Sequence, residues 1–196
     1  MLDQKIISLE KLLDAIDNDN IKIMEHLDKS CYIKEREVIE LFNSLLNNYP
    51  IGSFVFYKED NDLYIIDGYM RLMILYCALF GQTKPDFDKI NKDKVINNVL
   101  YFDLENKFFF FDLFGDFPKE IQPHQIPVHI LLKTANFRSY FRRRIDPYVD
   151  GETAKRYFDV ADKYSRQLHD YKVLVTIVTD ATQNDIDKMV KVLNKY

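Results

Sequence analysis

Between Phe54 and Gly81 the chain runs through two stretches of strand formers and then a helix, and this order restricts the fold more than any other feature of the sequence. Phe54-Val55-Phe56-Tyr57 and Leu63-Tyr64-Ile65-Ile66 are aromatic and β-branched, with polar Lys58 to Asp62 between them. That pattern predicts a β-hairpin. Asp67-Gly68 follows at once, then a helix through about Phe80, with Gly81 placed to end it. The order is therefore strand, Asp-Gly, helix.

Around this unit the chain alternates helical and strand patterns. Ser8 can cap a helix that carries Leu9, Leu12, Leu13 and Ile16 on one face. Ile21 to Met24 is a short strand candidate, and Glu35 to Asn47 repeats apolar residues at helical spacing before Tyr49-Pro50-Ile51-Gly52 breaks the pattern. Residues 82 to 98 are polar and ambiguous. Val99 to Leu104 and Lys107 to Asp112 predict a second hairpin, and residues 113 to 129, with three prolines, read as loop. Ile130 to Ile145 reads as mostly helix, Glu152 to His169 as a long helix, and Val173 to Val178 as an apolar strand. Thr182-Gln183-Asn184-Asp185 is a loose capping box opening a helix to Lys195. The fold class is α+β. With 196 residues and 47% hydrophobic content, one domain spanning 1–196 is expected. A soft division separates a mixed α/β core, 1–112, from a mainly helical extension with one strand, 113–196.

Several function classes are excluded or disfavoured. A net charge of -4 does not suit a general nucleic-acid coat, whose affinity needs clustered basic charge. The first residues lack a basic segment followed by an apolar one, and no apolar run is long enough to span a bilayer, so a cytoplasmic protein without membrane partners is expected. Cys31 and Cys77 have no metal-type spacing; free thiols are a simpler reading than a disulfide. His26, His124, His129 and His169 show no ligand pattern, so no zinc or other histidine-bound metal is expected. There is no Walker loop or Rossmann fingerprint. One basic cluster stands out: Lys133, Arg138, Arg142, Arg143 and Arg144, interleaved with Phe137, Tyr140 and Phe141. On a helix Arg138 and Arg142 share a face that either contacts a nucleic-acid backbone or is a solvated surface. Phe108 to Phe111 reads as a strand buried on both faces, any exposed part of it suggesting a protein interface.

The strand–helix junction Ile65-Ile66-Asp67-Gly68-Tyr69-Met70-Arg71 carries the chemistry. A helix N-terminus offers unpaired N–H groups and the positive end of the dipole to an anion. Gly68 permits close backbone approach, and Arg71, one turn in, has the fork that matches phosphate oxygens. Asp67 either holds a metal-bound water, orients Arg71, or is simply a helix cap.

The stretch Glu37 to Leu79 resembles the core of the GmrSD-type restriction-enzyme N-terminal domain, related to the ParB and sulfiredoxin fold. In that family a helix leads into a Tyr-Pro-Ile-Gly turn, a strand, and a hydrophobic strand ending in Asp-Gly-Gln-Gln-Arg. Here stand Asn48-Tyr49-Pro50-Ile51-Gly52-Ser53 and Ile65-Ile66-Asp67-Gly68-Tyr69-Met70-Arg71-Leu72. Leu100 to Leu104 with Phe108 to Phe111, and Asp170 to Val173 with the helix Asp185 to Asn194, are similar to the family's later elements. The resemblance implies a ParB/sulfiredoxin-like mixed sheet with helices, plus a mainly helical C-terminal half. It also implies a site that binds a nucleoside triphosphate with Mg²⁺, in which Asp67 and Arg71 serve hydrolysis while Gly68, Tyr69, Lys29 and Gly52 hold the nucleotide. The chain departs from the family pattern: Tyr69 and Met70 replace both glutamines, Asp28-Lys29 stands where a Gln-Arg pair is usual, the sequence ends at Tyr196 where an Asn-Thr-Gly segment would follow, and no HNH nuclease segment is present. The expected function is therefore nucleotide binding with weak or lost hydrolysis. The alternative is a non-catalytic protein-interaction module modulating a restriction or phage-defence partner.

Overall fold

The computed structural model describes residues 1–23, 33–80, 99–114, 117–118, 120–133 and 137–193. Strand β1 (Leu2–Ser8) opens the chain and passes straight into α1 (Leu9–Asp17). The Ser8 hydroxyl accepts from the Lys11 N–H at 3.3 Å, an N-cap that starts the helix where the sequence places it. Leu9, Leu12, Leu13 and Ile16 form its buried stripe. Then come β2 (Ile21–Ile23), α2 (Glu35–Leu46), the hairpin β3 (Ser53–Glu59) and β4 (Asp62–Asp67), and α3 (Tyr69–Phe80). The second hairpin is β5 (Leu100–Asp103) with β6 (Phe109–Phe111). Short strands β7 (Leu113–Phe114), β8 (Phe117–Pro118) and β9 (Gln125–Pro127) lead to α4 (Val128–Leu132) and α5 (Phe137–Arg144). After one 3-10 turn (Asp146–Tyr148) come α6 (Gly151–Asp170), β10 (Lys172–Val178) and α7 (Gln183–Leu193).

Five strands form a mixed sheet in the order β1-β10-β3-β4-β2. β10 runs antiparallel to β1 and parallel to β3, β3 antiparallel to β4, and β2 parallel to β4. β6-β5-β9 form a second sheet and β7-β8 a small ribbon. The fold is α+β. Its core joins Phe54, Phe56, Ile65, Val173 and Val175 of the large sheet to buried side chains of α1, α2, α3, α4 and α6.

Several sequence expectations change in form. Residues 113 to 129, read as loop, contain three short strands, because β9 completes the second sheet through backbone pairing to β5. The helix expected over 130 to 145 is two helices, and α4 starts at Val128, directly after Pro127 at its N-cap. Leu2–Ser8 is a strand that local pattern did not announce. Ile65 and Ile66 are both fully buried despite being neighbours in a strand. A register shift explains this: Ile65 pairs with Phe56 and Asp67 with Val55, leaving Ile66 as the extra residue of a β-bulge. That bulge lies immediately before Asp67 and sets its direction. The ambiguous 82–98 segment lies outside the described residues.

Candidate functional site

Three pieces of chain meet at Arg71. The first is the turn after α2, where Asn48 and Gly52 both take positive φ (56° and 83°). Its carbonyls, and that of Leu46 at the end of α2, are held from outside: Gln167 on α6 donates to Leu46, the Tyr171 hydroxyl to Tyr49 at 2.5 Å, and Arg71 Nη1 to Ile51. The second is the end of β4, where Asp67 Oδ2 lies 3.7 Å from Arg71 Nη2. The third is Phe54 on β3, whose ring centroid lies 5.2 Å from the guanidinium carbon. A cation over a ring face at that distance is attracted to it.

Both glycines of the site are required by close approach. A Cβ on Gly52 would sit 2.1 Å from Arg71 Nη1, and one on Gly68 (φ 87°) would sit 2.8 Å from Phe54 Cδ1 and 3.2 Å from Arg71 Nη2. Gly68, not Asp67, is the capping residue of α3: the helix begins at Tyr69, and the Gly68 carbonyl accepts the Leu72 N–H at 2.9 Å. Asp67 stands one residue outside the helix and acts on Arg71 instead of capping. Asp67 and Arg71 keep 25% and 26% of their side-chain surface exposed, so the ion pair is neither sealed in the core nor free on the surface. Tyr69 and Met70, at the two positions after Gly68, are half-buried and pack partly on the core.

The structure thus brings Gly52, Asp67, Gly68 and Arg71 together, with Tyr69 next in the chain. Lys29 lies outside the described residues, as do His26 and Cys31. Sequence reasoning missed Phe54 and the Ile51 carbonyl as partners of Arg71. A carbonyl acceptor leaves no signature in sequence, and Phe54 reads there only as a strand residue.

The basic cluster is elsewhere. Arg138 and Arg142 are exposed on α5 and line one groove of about 370 Å³ with Asp146 and Lys155. Two of the interleaved aromatics face inward: Phe137 and Phe141 are buried and both pack on Phe158 with centroids 5.1 and 5.2 Å away, while Tyr140 is half-buried.

The remaining titratable groups are structural in setting. Burial pushes the Cys77 thiol up to about 11, which leaves it a poor thiolate at neutral pH. Burial, then the charge of Lys133, lowers the His129 pKa and favours its neutral form. Asp103 is buried at the end of β5 and accepts from the Glu105 and Asn106 N–H groups and from Gln125 Nε2 at 2.7 to 3.0 Å, with His124 Nε2 at 3.4 Å. Its burial would raise the carboxyl pKa, but the hydrogen bonds from Gln125 and Asn106 and the His124 charge outweigh that and hold it below its usual value. Among the described residues no three His, Cys, Asp or Glu side chains are grouped to hold a metal ion, and no helix is long and apolar enough to cross a membrane.

Compared with protein-family models and with curated proteins, the chain shows no match.

Proposed function

We propose that the chain is a phosphate-recognising module that binds a nucleoside triphosphate at the Gly52–Gly68–Arg71 junction, with hydrolysis weak or lost. The observation that carries this reading is the convergence at one point of two positive-φ glycines, a partly exposed guanidinium and the first turn of α3. The two glycines let the backbone pass close enough to Arg71 and Phe54 to bring the guanidinium beside the first turn of α3, and helix-end amides with an arginine fork suit phosphate oxygens. The Ile51 carbonyl fixes the Arg71 side chain, so little rotamer freedom is lost on binding.

A lone carboxylate, Asp67, fits Mg²⁺ only as a supplementary ligand to a metal held mainly by phosphate oxygens. Such an ion supplies charge neutralisation on the phosphates. Arg71 orients the terminal phosphate and stabilises charge on its oxygens when water attacks. Tyr69 and Met70 supply one hydroxyl between them for positioning that water, and both pack partly on the core. Turnover is accordingly slow or absent. The likeness of this junction to the Asp-Gly-Gln-Gln-Arg motif of the restriction modules is what supports a restriction or phage-defence context for the nucleotide.

A second reading, a non-catalytic interaction module, is favoured by the intramolecular partners of Arg71, since Ile51 and Asp67 already occupy part of its fork. Calorimetric titration with a nucleoside triphosphate, with and without Mg²⁺, separates the two. Wild type should bind, Arg71→Lys should bind about tenfold more weakly because a point charge cannot replace the fork, and melts should show both folded. Phosphate release on the bound form then measures turnover. No heat of binding at millimolar nucleotide in a folded protein would move the assignment to the interaction module.

A further inference from the structure

β1 is the outermost strand of the large sheet, bonded on one side to β10. The ends of that ladder fix its phase: the Leu9 N–H donates to Tyr171 at 2.7 Å and the Thr179 N–H to Met1 at 3.0 Å. Odd-numbered residues of β1 therefore exchange bonds with β10, and Leu2, Gln4 and Ile6 point their N–H and C=O groups away from the sheet. Among the described residues no strand pairs with this side of β1, and an open edge of this kind is a template for another strand. Lys5 and Asp3 are the only charges guarding this edge, and two other common protections are missing. It has no proline, and its register with β10 is unbroken from Leu2 to Ser8. Leu2 and Ile6 are 67% and 71% exposed, and Leu174, the partner of Ile6 on β10, is 42% exposed on the same face.

We propose that β1 pairs antiparallel with β1 of a second copy of this chain, about a two-fold axis through Gln4, joining two sheets into one. The charges select this register. Three two-fold registers in the middle of the strand bring outward-pointing residues opposite each other. One centred on Asp3 opposes Asp3 to itself, and one centred on Lys5 opposes Lys5 to itself. The register centred on Gln4 sets Asp3 against Lys5 of the partner subunit, twice by symmetry. It also sets Leu2 against Ile6 of the partner subunit on the outer face, where Leu174 extends the apolar patch. In this register Leu2, Gln4 and Ile6 form hydrogen-bonded pairs, and Asp3 and Lys5 fall at the non-hydrogen-bonded positions, where facing side chains are closer. Within one chain Lys5 Nζ and Asp3 Oδ2 already lie 2.7 Å apart, so pairing extends an existing charge pair into a four-charge network. An edge contact of this kind is smaller than the ~1,600 Å² of a standard interface, so the dimer is a weak one in the micromolar range. The inference is independent of nucleotide binding, because β1 contributes no residue to the Arg71 site.

Sedimentation velocity of the full chain from low to high micromolar concentration tests it. A concentration-dependent monomer–dimer equilibrium is expected. Asp3→Lys alone and Lys5→Glu alone should each weaken it about tenfold, since each change turns both symmetry-related attractions into repulsions. The double variant Asp3→Lys/Lys5→Glu should restore the wild-type constant. Gln4→Pro removes a central outward N–H that β10 does not use and should abolish pairing, with thermal melts checking that the fold is kept. A chain that stays monomeric throughout, a dimer indifferent to both single reversals, or a double variant no better than the singles would each overturn the proposal.

Discussion

At Arg71 and its two glycines, the same contacts that would receive a phosphate also hold the polypeptide together, and substitution separates the two roles. At Gly52 the atom in the way of a Cβ is the far end of Arg71, which can swing aside. At Gly68 it is the ring of Phe54, which is fully buried and cannot. Both positions also carry the backbone strain of a positive φ, about 1–2 kcal/mol for a residue with a Cβ. Gly52→Ala is therefore expected to cost about 1–2 kcal/mol and to free Arg71 from Ile51, whereas Gly68→Ala should cost about 3 kcal/mol through the added clash. Urea unfolding of the two variants checks the order; an equal or reversed cost would mean the Phe54 contact is soft. Asp103 gives a test in pH. Its folded pKa is depressed, so the stability it adds is fully present above its unfolded pKa of about 4 and is lost as pH falls through the folded value. Asp103→Asn should be less stable than wild type by about 2–3 kcal/mol at neutral pH, with the gap closing in acid. A gap independent of pH would show that the carboxylate charge is irrelevant to the network.

Among the elements, α5 shows how far a charge pattern can be taken. With Phe137 and Phe141 turned into the core and Tyr140 half-buried, the exposed groups α5 offers in its groove are its arginines, and nucleic-acid contact is expected to run through Arg138 and Arg142 to phosphates. Binding is expected to be weak, to fall steeply with salt, and to vanish when both charges are reversed; a gel shift that survives either treatment would refute a backbone-contact patch. The same helix marks what the sequence made legible. Helical periodicity located α1, α2 and α6 because their apolar stripes are local, and the capping pattern located the start of α7, where the Asp185 N–H donates to the Thr182 hydroxyl at 3.3 Å. β1 was illegible because its apolar Leu2 and Ile6 lie on the exposed face, so no hydrophobic alternation marks a buried side. β9 was illegible because two or three residues form a strand only where a distant partner supplies the bonds. The adjacent buried pair Ile65-Ile66 concealed a bulge, which depends on the register with β3 and has no local signal. At the site, Asp67, Gly68 and Arg71 were readable from their spacing, and Gly52 entered only through the resemblance of its turn. Their meeting with Phe54 and the Ile51 carbonyl depends on the tertiary approach of the turn after α2, β3 and the start of α3, which no local pattern announces.

Across the whole molecule, the position of β10 decides how the chain can be divided. A mixed half ending near residue 112 and a helical half beginning near 113 look separable in composition, yet β10 comes from the second half and lies between β1 and β3 of the first. Removing it would leave β1 without its strand neighbour and strip Val175 and Ile177 from beside Phe54 and Phe56. α6 belongs to the second half too, and it packs on both α1 and α2, whose Leu9, Leu12, Phe42 and Leu45 are almost wholly buried in the intact chain. Exposing side chains of this size costs about 1.5–3 kcal/mol each. For these four together that is about 6–12 kcal/mol, comparable to the whole 5–15 kcal/mol by which a domain is ordinarily stable. We therefore expect residues 1–112 expressed alone to be unfolded, and the full chain to melt in a single transition that near-ultraviolet and far-ultraviolet circular dichroism report at the same temperature. A 1–112 fragment that melts cooperatively, or two resolved transitions in the full chain, would show instead that β10 and α6 are an appended layer over a core that forms without them.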